Sequence, residues 1–151
     1  MQRRLIDPNN DYETYFRALS IWNEVYNYKT YALSDEQLRN RILECISAIW
    51  NVKDWFKKSR RFKASDVESF INDRIFLPII GDLANTTKHR LLRKRSRVDA
   101  KEEPRFYLVL DHRQRKIRDF YFVSDKKGNK YEIFEVLRGA LDEWGEFILR
   151  K

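Results

Sequence analysis

Residues 34–58 read SDEQLRNRILECISAIWNVKDWFKK, and this stretch decides the fold of the chain. Its apolar residues recur at three- and four-residue spacing, which is typical of an amphipathic helix. Ser34 and Gln37 have the spacing of a capping box, in which each side chain accepts a hydrogen bond from the backbone of the other. We therefore predict a central helix that begins after Ser34. Its buried stripe would consist of Leu38, Ile42, Cys45, Ile46, Ile49, Val52 and Phe56, widened by Leu43, Trp50 and Trp55.

Helical spacing also appears on both sides of this stretch. Upstream, the apolar residues between positions 12 and 26 predict one helix. Downstream, Ser65 and Glu68 suggest a second capping box, followed by a helix through the next apolar residues. Pro78 ends or kinks that helix and can occupy the first turn of another, which reaches about Arg95.

The apolar pattern changes to a period of two after this helical part. Alternating residues between about 105 and 123 predict a β-hairpin, and residues 126–129 predict a turn. Helical spacing returns from 133 to 148. We predict one domain over residues 1–151 of the mainly α (α+β) class, a four- to five-helix bundle with one β-hairpin before the C-terminal helix.

The cysteine count and the lengths of the apolar runs indicate the cellular compartment. The chain has a single cysteine, Cys45, so it cannot form an intramolecular disulfide, and a lone thiol suits a reducing compartment. No apolar run approaches the roughly 20 residues that span a bilayer, and the first residues lack a signal-peptide pattern. We expect a cytoplasmic protein without a membrane partner.

No pattern in the sequence points to a metal or a cofactor. The two histidines, His89 and His112, do not have the spacing of a zinc site. The four glycines form no phosphate-binding loop. Cys45 lies on the apolar stripe, which favours a small core residue over a nucleophile. We therefore expect neither a metal nor a cofactor.

Positive charge is concentrated in the middle of the chain. Residues 51–101 contain fourteen Lys and Arg but six Asp and Glu, an excess equal to the whole net charge of +8. Such a stretch could bind a polyanion, dock an acidic protein or form only a solvated surface. Trp55, Phe62 and Tyr107 could stack bases beside it. The candidate phosphate contacts are Lys57, Lys58, Arg60, Arg61, Lys63, Lys88, Arg90, Arg93, Lys94, Arg95 and Arg97.

A second candidate site lies in residues 81–90, which read GDLANTTKHR. At about 100° per residue, Asp82, Asn85 and His89 share one side of a helix, opposite its apolar residues. Two interpretations fit this arrangement. The three residues form a polar seam against a neighbouring element, or His89 serves a functional face as an acid, a base or a phosphate contact.

These residues also carry a resemblance. The string DLANTTKH at 82–89, followed by a hairpin and a final helix with Trp144 and Phe147, is similar to uncharacterised bacterial helical proteins that share a Leu-Ala-Asn-x-x-Lys-His segment. More distantly, the chain resembles the HEPN superfamily of helical bundles in toxins, defence systems and RNA-processing enzymes. Active HEPN members are metal-independent ribonucleases that dimerise and pair an arginine with a histidine a short helical step later.

The chain departs from that arginine–histidine pair. The nearest arginine before His89 is Arg74, 15 residues upstream, and Asn85 lies where the arginine is expected. The resemblance therefore implies a member that is non-catalytic or that works with His89 alone.

Three hypotheses about function follow. The leading one is a basic RNA- or DNA-binding accessory protein, and the resemblance alone implies a bacterial defence or toxin–antitoxin system. The first alternative is a HEPN-like, metal-independent endoribonuclease that acts as a homodimer, with His89 as catalytic residue aided by Asn85 and Lys88. The second is a structural subunit whose basic stretch docks an acidic partner. We favour binding over catalysis.

Overall fold

The computed structural model describes residues 11–59, 61–93, 106–110 and 121–150. Five helices and three strands lie in these residues, which confirms the predicted mainly helical fold with a hairpin before the last helix. No helix among them is long and apolar enough to cross a bilayer. The elements are α1 (Asp11–Tyr26), α2 (Asp35–Lys58), α3 (Ala64–Asn72), α4 (Phe76–Arg93), β1 (Phe106–Leu110), β2 (Tyr121–Asp125), β3 (Lys130–Glu132) and α5 (Ile133–Leu149).

The central helix α2 forms as predicted. The Ser34 hydroxyl accepts the backbone N–H of Gln37 at 3.2 Å, and the Gln37 side chain accepts the N–H of Ser34 at 2.9 Å. Acidic residues in the first turn and basic residues in the last turn complement the helix dipole. All seven residues of the predicted stripe are buried.

The second predicted capping box is wrong. Helix α3 begins at Ala64, and its N-cap residue is Lys63, which makes no side-chain capping bond. Ser65 therefore lies inside the helix. The Glu68 carboxylate instead forms an ion pair with Lys57 at the end of α2, because an ammonium group from another helix competes with the local backbone for that carboxylate.

The start of α4 is capped from a distant part of the chain. The apolar pattern predicted an unbroken helix up to Pro78, but α3 ends at Asn72 and Ile75 is 69% exposed. Helix α4 begins at Phe76, so Pro78 lies in its first turn, as predicted. The carboxylate of Glu143 in α5 accepts the backbone N–H groups of residues 75, 76 and 77 at 2.8 to 3.2 Å.

The core is built around Trp144 of α5. Its side chain is fully buried, and its Nε1 donates to the backbone oxygen of Ile49 in α2 at 2.9 Å. The rings of Phe56, Phe70 and Phe147 lie 5.2, 6.1 and 5.9 Å from the Trp144 ring, measured between centroids. These rings join α2, α3 and α5 at one end of the bundle.

The sheet has three antiparallel strands in the order β1-β2-β3. The predicted hairpin is present, with Val123 of β2 opposite Leu108 of β1. The sequence pattern missed β3, because three residues are too few to show a period. In the predicted turn Gly128 has a φ of 86°. The side chain and the N–H of Asn129, with the N–H of Lys127, hydrogen-bond the Asp125 carboxylate and lower its pKa.

Cys45 is a core residue, as interpreted from the sequence. It lies on the buried stripe of α2 and has no exposed surface. Desolvation by this burial, with the nearby charge of Glu44, raises the pKa of the thiol to about 12.

Close packing between α4 and α5 depends on Gly139. A Cβ atom at this position would lie 2.3 Å from Cδ2 and 2.7 Å from Cγ of the Phe76 ring. We expect Gly139→Ala to lower the free energy of unfolding by about 1–2 kcal/mol, because overpacking costs more than the gain in helix propensity. Urea unfolding followed by circular dichroism measures the change. In the Phe76→Leu background the same substitution should cost less, and a Gly139→Ala protein as stable as the parent would contradict the prediction.

Candidate nucleic-acid interface

The first part of the predicted interface is a basic loop, which we define as residues 57–63 at the end of α2 and the connection to α3. Lys58, Arg61 and Lys63 are exposed, and Lys57 is partly buried in its ion pair with Glu68. Arg60 lies outside the described residues. The loop therefore presents three described cationic side chains to solvent within six residues.

Aromatic residues hold the basic loop against the bundle. The Arg61 guanidinium lies 5.6 Å from the ring centroid of Tyr12 in α1 and donates to its hydroxyl at 3.0 Å. Phe62 packs with ring centroids 5.2 Å from Phe56 and 4.8 Å from Phe147. Phe62 therefore packs against the core, which differs from the base-stacking role suggested from the sequence. This packing anchors the basic loop on the bundle.

A groove between α1 and α2 opens beside this loop. Its volume is about 420 Å³. On α2, Asn51, Trp55 and Lys58 follow a spacing of four and three residues, so they lie along one face of the helix. Trp55 is partly exposed in the groove, while Lys58 continues the same face toward the loop. The groove is lined by Glu13, Thr14 and Arg17 of α1 and by Ser47, Asn51 and Trp55 of α2, among others.

Charges of both signs line the groove. The lining includes Arg17 and Glu13 of α1 and Glu44 of α2. Lys58 and Arg61 belong to the adjoining basic loop. Glu44 is an ion-pair partner of Arg41, with a nitrogen–oxygen distance of 2.7 Å. The basic loop therefore favours an anionic group, and the groove itself offers both hydrogen-bond donors and acceptors.

The second part of the predicted interface lies at the far end of α4. Lys88, Arg90 and Arg93 belong to its last two turns, but their side chains lie outside the described part of the structure, as do Lys94, Arg95 and Arg97 entirely. An 18-residue helix is about 27 Å long. Helix α4 begins beside Glu143 of α5. These cations stay predicted contacts.

The candidate catalytic segment is only partly described. The Asn85 side chain is exposed on α4, and the backbone oxygen of Asp82 accepts the Thr86 hydroxyl at 2.7 Å. The side chains of His89 and of Tyr107, a predicted stacking residue, lie outside the described part of the structure. Across the described ranges, no three His, Cys, Asp or Glu side chains gather in a way that could hold a metal ion.

Three residues beside the basic loop were not predicted as site residues from the sequence: Tyr12, Arg17 and Asn51. Asn51 could have been found from its spacing to Trp55 on α2. Tyr12 and Arg17 belong to another helix, about 40 residues away, and no local signal connects them to Trp55. Comparisons of the chain with protein-family models, curated proteins and solved structures found no match.

Proposed function

We propose that the chain is a nucleic-acid-binding protein that contacts phosphates through its basic loop. The observation that carries this proposal is the exposure of Lys58, Arg61 and Lys63 beside the partly exposed ring of Trp55. Cations that neutralise phosphates release counterions, which supplies most of the affinity of sequence-independent binding. Aromatic rings next to such cations are typical of surfaces that bind single strands.

Aromatic side chains lie beside the cations of the basic loop. Tyr12 lies under the Arg61 guanidinium, and Trp55 lines the adjoining groove. The part of the Trp55 ring that stays exposed can stack on a base. Arg60 and the cations from Lys88 to Arg97 stay predicted contacts. A role as an accessory protein of a bacterial defence or toxin–antitoxin system is a further part of the proposal, and it depends on the resemblance of residues 82–89.

Reversal of charge in the basic loop tests the proposal. We expect Lys58→Glu/Lys63→Glu to weaken binding of a labelled oligonucleotide by at least about tenfold at about 50 mM salt, because two attractive contacts become repulsive. The slope of log affinity against log salt should also become shallower by about 1 for each lysine lost. Fluorescence anisotropy between about 50 and 200 mM salt measures both quantities.

The matched control changes the same charge elsewhere. Lys126→Glu/Lys127→Glu alters the exposed turn between β2 and β3 and should leave affinity within about twofold of the parent. Equal losses in the two double variants would mean that net charge, and not the basic loop, drives binding. The absence of binding to any oligonucleotide at low salt would reject the proposal.

The endoribonuclease is the second candidate. The exposure of Asn85 favours it, since a side chain one turn before His89 faces solvent and not a buried seam. Cleavage of labelled RNA in the presence of a chelator, lost in a His89→Ala protein with an unchanged melting temperature, would select this candidate.

A further inference from the structure

The groove between α1 and α2 combines a stacking surface with groups that can bind the edge of a base. Trp55 contributes part of its indole ring, and Asn51, Ser47 and Thr14 contribute hydrogen-bonding side chains. The carboxylate of Glu13 adds an acceptor for amino groups. A volume of about 420 Å³ falls within the usual range of small-ligand sites, about 300–1,000 Å³.

Groups in and beside the groove match the two parts of a nucleotide. Inside the groove, the carboxylates of Glu13 and Glu44 can accept hydrogen bonds from the exocyclic amino groups of bases, and Arg17 can donate to base acceptors. Lys58 and Arg61 of the adjoining basic loop attract a phosphate. A nucleotide can therefore place its base in the groove and its phosphate on the basic loop.

We propose that the α1–α2 groove accepts an unpaired base, so that the ligand of the basic loop is single-stranded RNA or DNA. This inference rests on the proposed function and names its substrate class. In a duplex, each base is stacked and its pairing edge is occupied, and a base reaches a cleft between two helices only after it is extruded. An unpaired base can leave its stack at much lower cost and pack on an aromatic ring.

Substitution of Trp55 tests the inference. We expect Trp55→Ala to weaken binding of an unstructured pyrimidine strand by about tenfold or more, because base–aromatic stacking is lost. Binding of heparin, a polyanion without bases, should not change. Trp55→Phe should keep most of the affinity for the strand, and quenching of tryptophan fluorescence by the strand should disappear in it. The RNA strand, the DNA strand and a duplex of equal length are titrated separately.

Two further variants distinguish a loss of strand binding from a loss of folding. Asn51 is exposed, so Asn51→Ala should fold normally and still weaken strand binding several-fold. Tyr26→Ala removes another exposed aromatic ring of α1, outside the groove, and serves as the control. Circular dichroism melting compares the folding of all variants.

The outcomes separate this inference from the proposed function. A duplex bound as tightly as the single strand, or Trp55→Ala and Asn51→Ala proteins that bind the strand as the Tyr26→Ala protein does, would overturn the inference alone. Failure of the strands, the duplex and heparin to bind at low salt would overturn the proposed function with it. A preference for the strand over the duplex that is lost in the Trp55→Ala protein would support both.

Discussion

Trp144→Ala is expected to lower the free energy of unfolding by about 3–5 kcal/mol, the range for loss of a large aromatic side chain from a core. The substitution removes a fully buried indole from the point where α2, α3 and α5 meet. It also leaves the backbone oxygen of Ile49 without the hydrogen bond that Trp144 donates at 2.9 Å. Urea unfolding followed by far-ultraviolet circular dichroism measures the loss.

Trp144→Phe separates packing from hydrogen bonding at this position. It keeps an aromatic ring among Phe56, Phe70 and Phe147 but cannot donate to Ile49. We expect a smaller loss, about 1–3 kcal/mol, from the unsatisfied backbone oxygen and the smaller ring. A Trp144→Ala protein within about 1 kcal/mol of the parent would contradict the central position of this residue.

Glu143→Ala has the second-largest expected effect, a loss of about 2–3 kcal/mol. Its carboxylate accepts three backbone N–H groups at the start of α4, at distances from 2.8 to 3.2 Å. Loss of an ordinary N-cap costs about 0.5–2 kcal/mol, and hydrogen bonds to a charged group are stronger. The carboxylate also lies where the helix dipole favours negative charge.

Glu146→Ala is the matched control for this prediction. Glu146 lies one turn further along α5, and its exposed carboxylate pairs with the partly buried Arg74 at 3.0 Å. Ion pairs with a solvent-exposed partner contribute about 0–1 kcal/mol, so its loss should be small. The same urea unfolding experiment measures the free energy of unfolding of both variants. If Glu146→Ala costs as much as Glu143→Ala, capping of α4 is not the reason for the effect.

The parts of the fold that the sequence predicts are those set by local spacing. Ser34 and Gln37 lie three residues apart, and the buried stripe of α2 repeats along one helix. Both features could therefore be predicted without knowing which element packs against α2. Glu68 has the same capping pattern but lies within reach of Lys57, and the ion pair takes its carboxylate. A four-residue motif cannot show that a side chain from another helix binds the same carboxylate.

Contacts between distant parts of the chain account for what the sequence could not predict. Glu143 caps a helix that begins 67 residues earlier in the chain. The groove beside Trp55 exists because α1 packs along α2 and brings Arg17 to it. The cations of the basic loop could be named from composition, whereas the contact of Arg61 with Tyr12 of α1 joins residues 49 positions apart.

The burial of Cys45 makes the protein convenient for site-directed chemistry. Burial raises the pKa of its thiol far above neutral pH, so the reactive thiolate is scarce, and the sulfur has no exposed surface. Maleimides and thiol-specific spin labels react with thiolates, so they should not label this single native cysteine. A dye could be attached to a cysteine introduced at the exposed Lys127 while Cys45 stays in place.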